Sequence, residues 1–178
     1  MKLGKEFFNR KADIVAKNLL GKILVRKING REIKAKIVET EAYFGEEDSA
    51  SRASKGKTPI FEIMWGEAGK ILVYNVHKYV MFCIVTGEKD EPEAILIRAL
   101  EPLNCDLNLK GPGLLTSSLG ISRDYRGKDI CNSEDLWIEE PDTKKTFSVA
   151  ESFRIGVREE NPLNLRFYIK DNCYVSKK

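Results

Sequence analysis

Histidine is nearly missing from this 178-residue chain: His77 is the only one, and no Cys-x-x-Cys pair or Cys/His cluster accompanies it. A structural zinc site needs such ligands at short spacing, so no metal is expected. The four cysteines, Cys83, Cys105, Cys131 and Cys173, are scattered rather than paired by spacing. Cys83 and Cys173 fall in apolar, strand-like runs and read as buried free thiols of a reducing compartment. No apolar stretch is long enough to span a bilayer, and Met1-Lys2-Leu3-Gly4-Lys5-Glu6 lacks the apolar run of a secretory leader. An intracellular protein without membrane contact is the expectation. A large charge of one sign is also missing. Thirty basic residues stand against 27 acidic ones, net +3, so only a local basic face could point to nucleic acid. Repeats, linkers and low-complexity segments are absent. That leaves a single domain over 1–178, large enough to bury a core without staples.

What is present reads as alternating short elements. Apolar positions 12, 15, 16 and 19 predict a helix over 11–20, with Gly21 as its stop. Residues 22–27 and 31–43 predict two strands joined at Ile28-Asn29-Gly30, an Asn-Gly hairpin turn. Over residues 22–36 this hairpin carries Lys22, Arg26, Lys27, Arg31, Lys34 and Lys36 against Glu32 alone. It is either a solubilising surface or a phosphate-contacting one. Residues 45–59 form a polar loop whose length leans towards function. Further strands are expected at 70–76, 79–86, 93–99, 136–140, 152–157 and 165–169, with a short helix at 114–119 and a polar loop at 142–145. His77-Lys78 separates two of these strands at hairpin spacing, although neither residue favours a positive φ. The sum is a mixed α/β (α+β) domain, mostly antiparallel, with few and peripheral helices.

The strand Ile37-Val38-Glu39-Thr40-Glu41-Ala42-Tyr43 stands out. Its period of two puts Ile37, Glu39, Glu41 and Tyr43 on one face. Carboxylates are depleted in strands and close like charges raise each other's pKa, so two on one face call for a reason. The bland one is a solvated edge strand.

Several stretches, in order, carry a resemblance: Leu20-Gly21-Lys22-Ile23-Leu24-Val25, the acidic strand, Ile97-Arg98-Ala99-Leu100-Glu101-Pro102, Gly111-Pro112-Gly113, Arg154-Ile155-Gly156-Val157 and Leu165-Arg166-Phe167-Tyr168. Together they resemble the 3-methyladenine (alkyladenine) DNA glycosylases, and the resemblance covers nearly the whole chain. It implies a curved sheet, no cofactor, and a monomer acting on double-stranded DNA that contains damaged purines, in the cytoplasm or with the nucleoid. The implied activity is monofunctional hydrolysis of the N-glycosidic bond of alkylated, deaminated or etheno purines after base flipping, leaving an abasic site. The implied roles are Glu41 as the base that activates water, with Arg98 and the carbonyl of Ile155 helping to hold that water. Tyr43 and Tyr74 would sandwich the extruded base. Glu39 is read as a structural carboxylate paired with a cation.

The chain departs from the family pattern in four places. Arg52 stands where a histidine is expected against the base, and a guanidinium repels a cationic base, which suits a neutral lesion such as hypoxanthine or an etheno adduct better. His77-Lys78 replaces the Tyr-Gly of the hairpin wedge, leaving His77 either a smaller wedge or an exposed turn residue. Cys83 or Ile84 occupies the region of a familiar asparagine. Gly111-Pro112-Gly113-Leu114-Leu115 lacks a phosphate-facing lysine, for which Lys110 next door could substitute. Two other readings follow from these departures: a DNA-binding module of the same fold that has lost excision, or an N-glycosidase acting on another nucleic acid or nucleoside.

Overall fold

A computed structural model describes residues 1–143, 146–157 and 162–177; Lys144 and Lys145, half of the polar loop expected at 142–145, lie outside them. Its spine is the second strand of one curled antiparallel sheet. The strands are β1 Ile23–Ile28, β2 Arg31–Tyr43, β3 Ile71–Val76, β4 Tyr79–Thr86, β5 Glu93–Pro102, β6 Leu136–Glu139, β7 Val149–Ser152 and β8 Arg166–Ile169. The order β3-β4-β5-β2-β1-β6 is extended by β8, which pairs with both β2 and β7. β5 runs along one edge of β2, while β1 covers the first half of its other edge and β8 covers Glu39 to Glu41. The acidic strand is therefore central and buried rather than a solvated edge.

Among the described residues the three α-helices, α1 Lys5–Phe8, α2 Ala12–Leu19 and α3 Pro112–Ser118, are short. In α2 the residues Ala12, Val15, Ala16 and Leu19 are buried, as their helical spacing predicts. Its start is held by Glu93, whose carboxylate accepts the Ala12 amide at 2.7 Å, an anion at a helix N-terminus. The first hairpin turns at Asn29 and Gly30, both with positive φ, in the two-residue geometry the Asn-Gly pair predicts. His77 also adopts a positive φ of 52°, so the β3–β4 turn forms tightly despite its residue types. There, Gly113 at the start of α3 allows close packing: a Cβ on it would lie 2.5 Å from the Tyr79 ring.

Several expectations shift. β5 runs three residues further than predicted, to Pro102. The strand expected at 152–157 lies instead at Val149–Ser152, and residues 154–157 pass over the sheet as irregular backbone. Cys173 is exposed in a turn after β8, where no strand partner covers it; Cys83 is buried, and all four thiols are free. Cations of the first hairpin are largely matched: Lys22 to Glu140, Arg26 to Asp135, Lys34 to Glu139 and Lys36 to Glu101. Those acids come from elsewhere in the chain, so the apparent basic excess was local to the sequence.

The sheet has two buried faces. α2 and α3 cover the larger core, which includes Phe8, Leu19, Ile37, Val38, Phe82, Ile97 and Phe167. On the opposite face Leu72, Met81, Cys83, Val85, Ala94 and Leu96 pack under Ala53, Phe61, Met64 and Trp65 of the segment after β2. That segment carries two 3₁₀ turns, Arg52–Lys55 and Glu62–Trp65. Ala53 falls within the loop predicted at 45–59, while the rest of this cap, at 61–65, lies beyond it.

Candidate active site

The register between β2 and β5 slips twice around Glu39, leaving Val38 and Arg98 outside the paired positions. One consequence is that Ile37 and Val38 both enter the larger core, so Ile37 does not share a face with the acids as simple alternation predicts. The other is that Glu39, Glu41 and Tyr43 point with Leu96 and Cys83 towards the capped face. Glu41 pairs with Leu96, and Leu96 with Cys83, along one rung of the sheet.

Glu41 is fully buried. Its Oε1 accepts the amide N–H of Ile155 at 2.7 Å, and its Oε2 accepts the Tyr43 hydroxyl at 2.8 Å. Arg98 NH1 lies 3.4 Å from Oε1. Burial drives the Glu41 carboxyl above its ordinary range; Arg98, the Ile155 amide and the Tyr43 hydroxyl pull the other way, and Glu39 adds to the rise. The outcome is a carboxylate of raised basicity. Tyr43 is itself held well above the ordinary phenol range, first by burial and then by Glu41, so it remains a donor. The contact made by Ile155 is through its N–H, whereas the resemblance implied a role for its carbonyl.

Glu39 is as deeply buried but differently held. Arg98 Nε reaches its Oε1 at 3.0 Å and Arg166 Nε at 2.8 Å. It is thus a carboxylate between two guanidinium groups, as the reading of it as a structural acid expects.

Aromatic side chains stand beside Glu41. Tyr74 meets Phe61 edge-on at 5.3 Å between ring centroids, and the Arg52 guanidinium lies 4.9 Å from the Tyr74 centroid. Tyr43 and Tyr74 pack on the same apolar cluster. The thiol of Cys83 beneath Tyr74 is pushed up to about 12, mainly by burial, and behaves as a small neutral group. Arg52 is therefore in the aromatic wall. Phe61, which sequence reasoning missed, completes it.

A buried ion pair locks the cap. Arg154 NH1 and NH2 donate to the two oxygens of Asp48 at 2.7 and 2.9 Å, and Arg154 NH1 also reaches the Ala42 carbonyl at 3.0 Å. Asp48 further accepts the amides of Phe44 and Ala50. Asp48→Ala, which removes a bidentate carboxylate from a buried guanidinium, is expected to cost about 3 kcal/mol, read as a lower urea midpoint. No local signal joins residues so far apart in sequence, so this pair was invisible before folding.

The remaining predicted residues lie at the periphery. His77 and Lys78 form the exposed β3–β4 tip, three residues from Tyr74, roughly 10 Å along a strand. Lys78 lies over the Tyr79 ring. Lys110 Nζ sits 5.5 Å from the Tyr174 centroid, on the C-terminal segment that returns to Glu39. The Asn29-Gly30 tip is far from Glu41, since Arg31 precedes it by ten residues of strand, roughly 33 Å. A cleft of about 690 Å³ lies beside the start of β1 and the middle of β2, among Lys22, Lys34, Lys36 and Glu139, and is lined by none of the residues around Glu41. Its cations are those already matched by acids, so volume and chemistry do not coincide there. Among the described residues no group of three or more His, Cys, Asp or Glu is arranged to hold a metal, and no helix is long and apolar enough to cross a membrane.

Comparison with known proteins gives the family. Residues 6–173 match the family profile described as methylpurine-DNA glycosylase. A Clostridium perfringens (strain 13) protein named "putative 3-methyladenine DNA glycosylase" is 40% identical over 205 aligned residues, covering all of both chains. An Aeropyrum pernix protein of the same name is 41% identical over 181 residues, covering 98% of this chain and 93% of its own. The chain belongs to the methylpurine-DNA glycosylase family and is a DNA glycosylase, a hydrolase of N-glycosyl bonds.

Proposed function

We propose that the chain hydrolyses the N-glycosidic bond of damaged purines in double-stranded DNA, after turning the nucleotide out of the duplex, and leaves an abasic site. The observation that carries this reading is Glu41: a fully buried carboxylate of raised basicity, fixed by Ile155 and Arg98 beside an aromatic wall. A base stacked in a duplex is out of reach, and unstacking it costs roughly a few kcal/mol. Stacking against Tyr43 and Tyr74 offsets that, at roughly 1–3 kcal/mol per base. His77 and Lys78, at a tip close to Tyr74, are placed to enter and hold the duplex, and Lys110 flanks the Glu39 side.

Glu41 takes a proton from water as the water oxygen bonds to the sugar carbon. The carbon–nitrogen bond breaks and its electron pair leaves with the purine. The ionised carboxylate also stabilises the oxocarbenium-like sugar. Water suffices as the nucleophile, so no strand cleavage accompanies the reaction. The protein works as a monomer, without a cofactor, wherever cellular DNA lies. A panel of duplexes, each with one lesion, scored for alkali-labile sites, tests the reading. Cleavage of none of them by folded, DNA-binding protein would sink it.

Arg52 tunes the substrate. A cationic base departs as a neutral molecule, but a neutral purine such as hypoxanthine departs with negative charge. Guanidinium donors over Tyr74 favour the second and repel the first. Arg52→His is expected to move the ratio of 7-methylguanine to hypoxanthine excision upwards by roughly 10-fold, measured on paired duplexes.

A further inference from the structure

Glu39 lies two residues before Glu41, and both side chains are fully buried. Two carboxylates this close repel, and each needs compensation. Glu41 receives one guanidinium nitrogen, one amide and one phenol. Glu39 receives more. Its Oε1 accepts from Arg98 Nε, Arg166 Nε and the Ser176 hydroxyl, the last at 2.9 Å, and its Oε2 accepts the Ser176 amide at 2.6 Å. Arg166 donates onwards to Ser152 Oγ at 3.0 Å and to the Lys177 carbonyl. The C-terminal segment is thus fastened onto a carboxylate beside the reacting one.

Proton transfer to Glu41 makes no direct use of Glu39. The link between them is Arg98, whose planar guanidinium is divided: Nε on Glu39 and NH1 towards Glu41. Because the fork is rigid, fixing Nε fixes where NH1 lies. Without Glu39 the fork can turn and close on both oxygens of Glu41, the geometry that guanidinium and carboxylate prefer. Lone pairs needed for water would then be taken.

We propose that Glu39, held by Ser176 of the C-terminal segment, is a positioning residue that keeps Arg98 in single-nitrogen contact with Glu41 and so leaves a lone pair of the Glu41 carboxylate for the reacting water. This rests on reading Glu41 as the base. Besides Glu39, the groups around Glu41 are Arg98 from β5, Arg166 from β8, Cys83 from β4, Tyr43 of its own strand, and the Arg154–Asp48 pair beside Tyr43. The substitutions below leave those groups in place.

The test is single-turnover excision across pH, on the damaged-purine duplex that wild type cleaves fastest, for Glu39→Gln, Ser176→Ala and Glu41→Gln. Glu39→Gln is expected to lose roughly 10²-fold in rate with duplex affinity unchanged. Its acidic limb should move to lower pH, because Arg98 closes on Glu41 and a neighbouring negative charge is gone. Ser176→Ala should shift rate and limb in the same directions, by about 5-fold in rate. A role in folding alone would reduce the active fraction and leave the limb in place, and that result overturns the inference. If Glu39→Gln does not fold, Ser176→Ala decides: a wild-type rate and limb overturn it. Activity surviving in Glu41→Gln overturns the base reading itself. An inactive Glu41→Gln beside an unaltered Glu39→Gln overturns only the positioning role.

Discussion

Glu41→Gln is expected to lower base excision by roughly 10²–10⁴-fold while leaving the protein at least as resistant to heat as wild type. The amide keeps an oxygen for the Ile155 N–H but cannot take a proton from water. Stability follows from the sign of the pKa shift. The folded-state pKa of Glu41 is raised by burial. Its favourable contribution is therefore complete below the unfolded-state pKa and is lost as pH rises through the folded one. At neutral pH wild type carries a buried charge that disfavours folding, and glutamine removes it. Thermal melts at pH 7 and pH 4 check this: the advantage of Glu41→Gln should be larger at pH 7. A melting temperature well below wild type at pH 7 would contradict the account.

Arg98→Met should damage both stability and catalysis. Arg98 is buried and is the cation shared by Glu39 and Glu41. Removing one partner of such a cluster costs about 3–5 kcal/mol, or roughly 6–20 °C in melting temperature for a chain of this size. Arg98 is also the largest influence holding the Glu41 carboxyl down. Its loss raises that group further, so the acidic limb of the rate profile should move to higher pH. Activity then recovers partly as pH rises. This direction is opposite to the one expected for Glu39→Gln, so the same profile separates the two residues.

Much of the local structure was legible because it depends on near neighbours. Apolar spacing at Ala12, Val15, Ala16 and Leu19 places α2, and Asn29-Gly30 closes the first hairpin in the predicted register. The bounds of β2 were read correctly from Arg31 to Tyr43. Failures came where a partner overrode the local pattern. Residues 152–157 read as a strand, yet Arg154 is drawn to Asp48 and Ile155 to Glu41, so the backbone leaves the sheet after Ser152. Cys173 read as buried from its apolar neighbours but falls in a turn. Four of the six cations of the first hairpin met acids from β5, β6 and their flanks once the chain folded.

The family, and with it the class of reaction, was contained in the order of short blocks, above all Glu-Thr-Glu-Ala-Tyr and Arg-Ala-Leu-Glu-Pro. Alternation along the one strand read only as a solvated acidic face; it was the run of blocks in order that carried the resemblance. How differently the two buried acids are held was a tertiary decision. It depends on how the register slips at Val38 and Arg98, on a guanidinium divided between two carboxylates, and on a C-terminal serine that meets Glu39 only in the folded chain. Basicity at a buried site is set by what surrounds the group in space, and sequence separation carries no record of those distances.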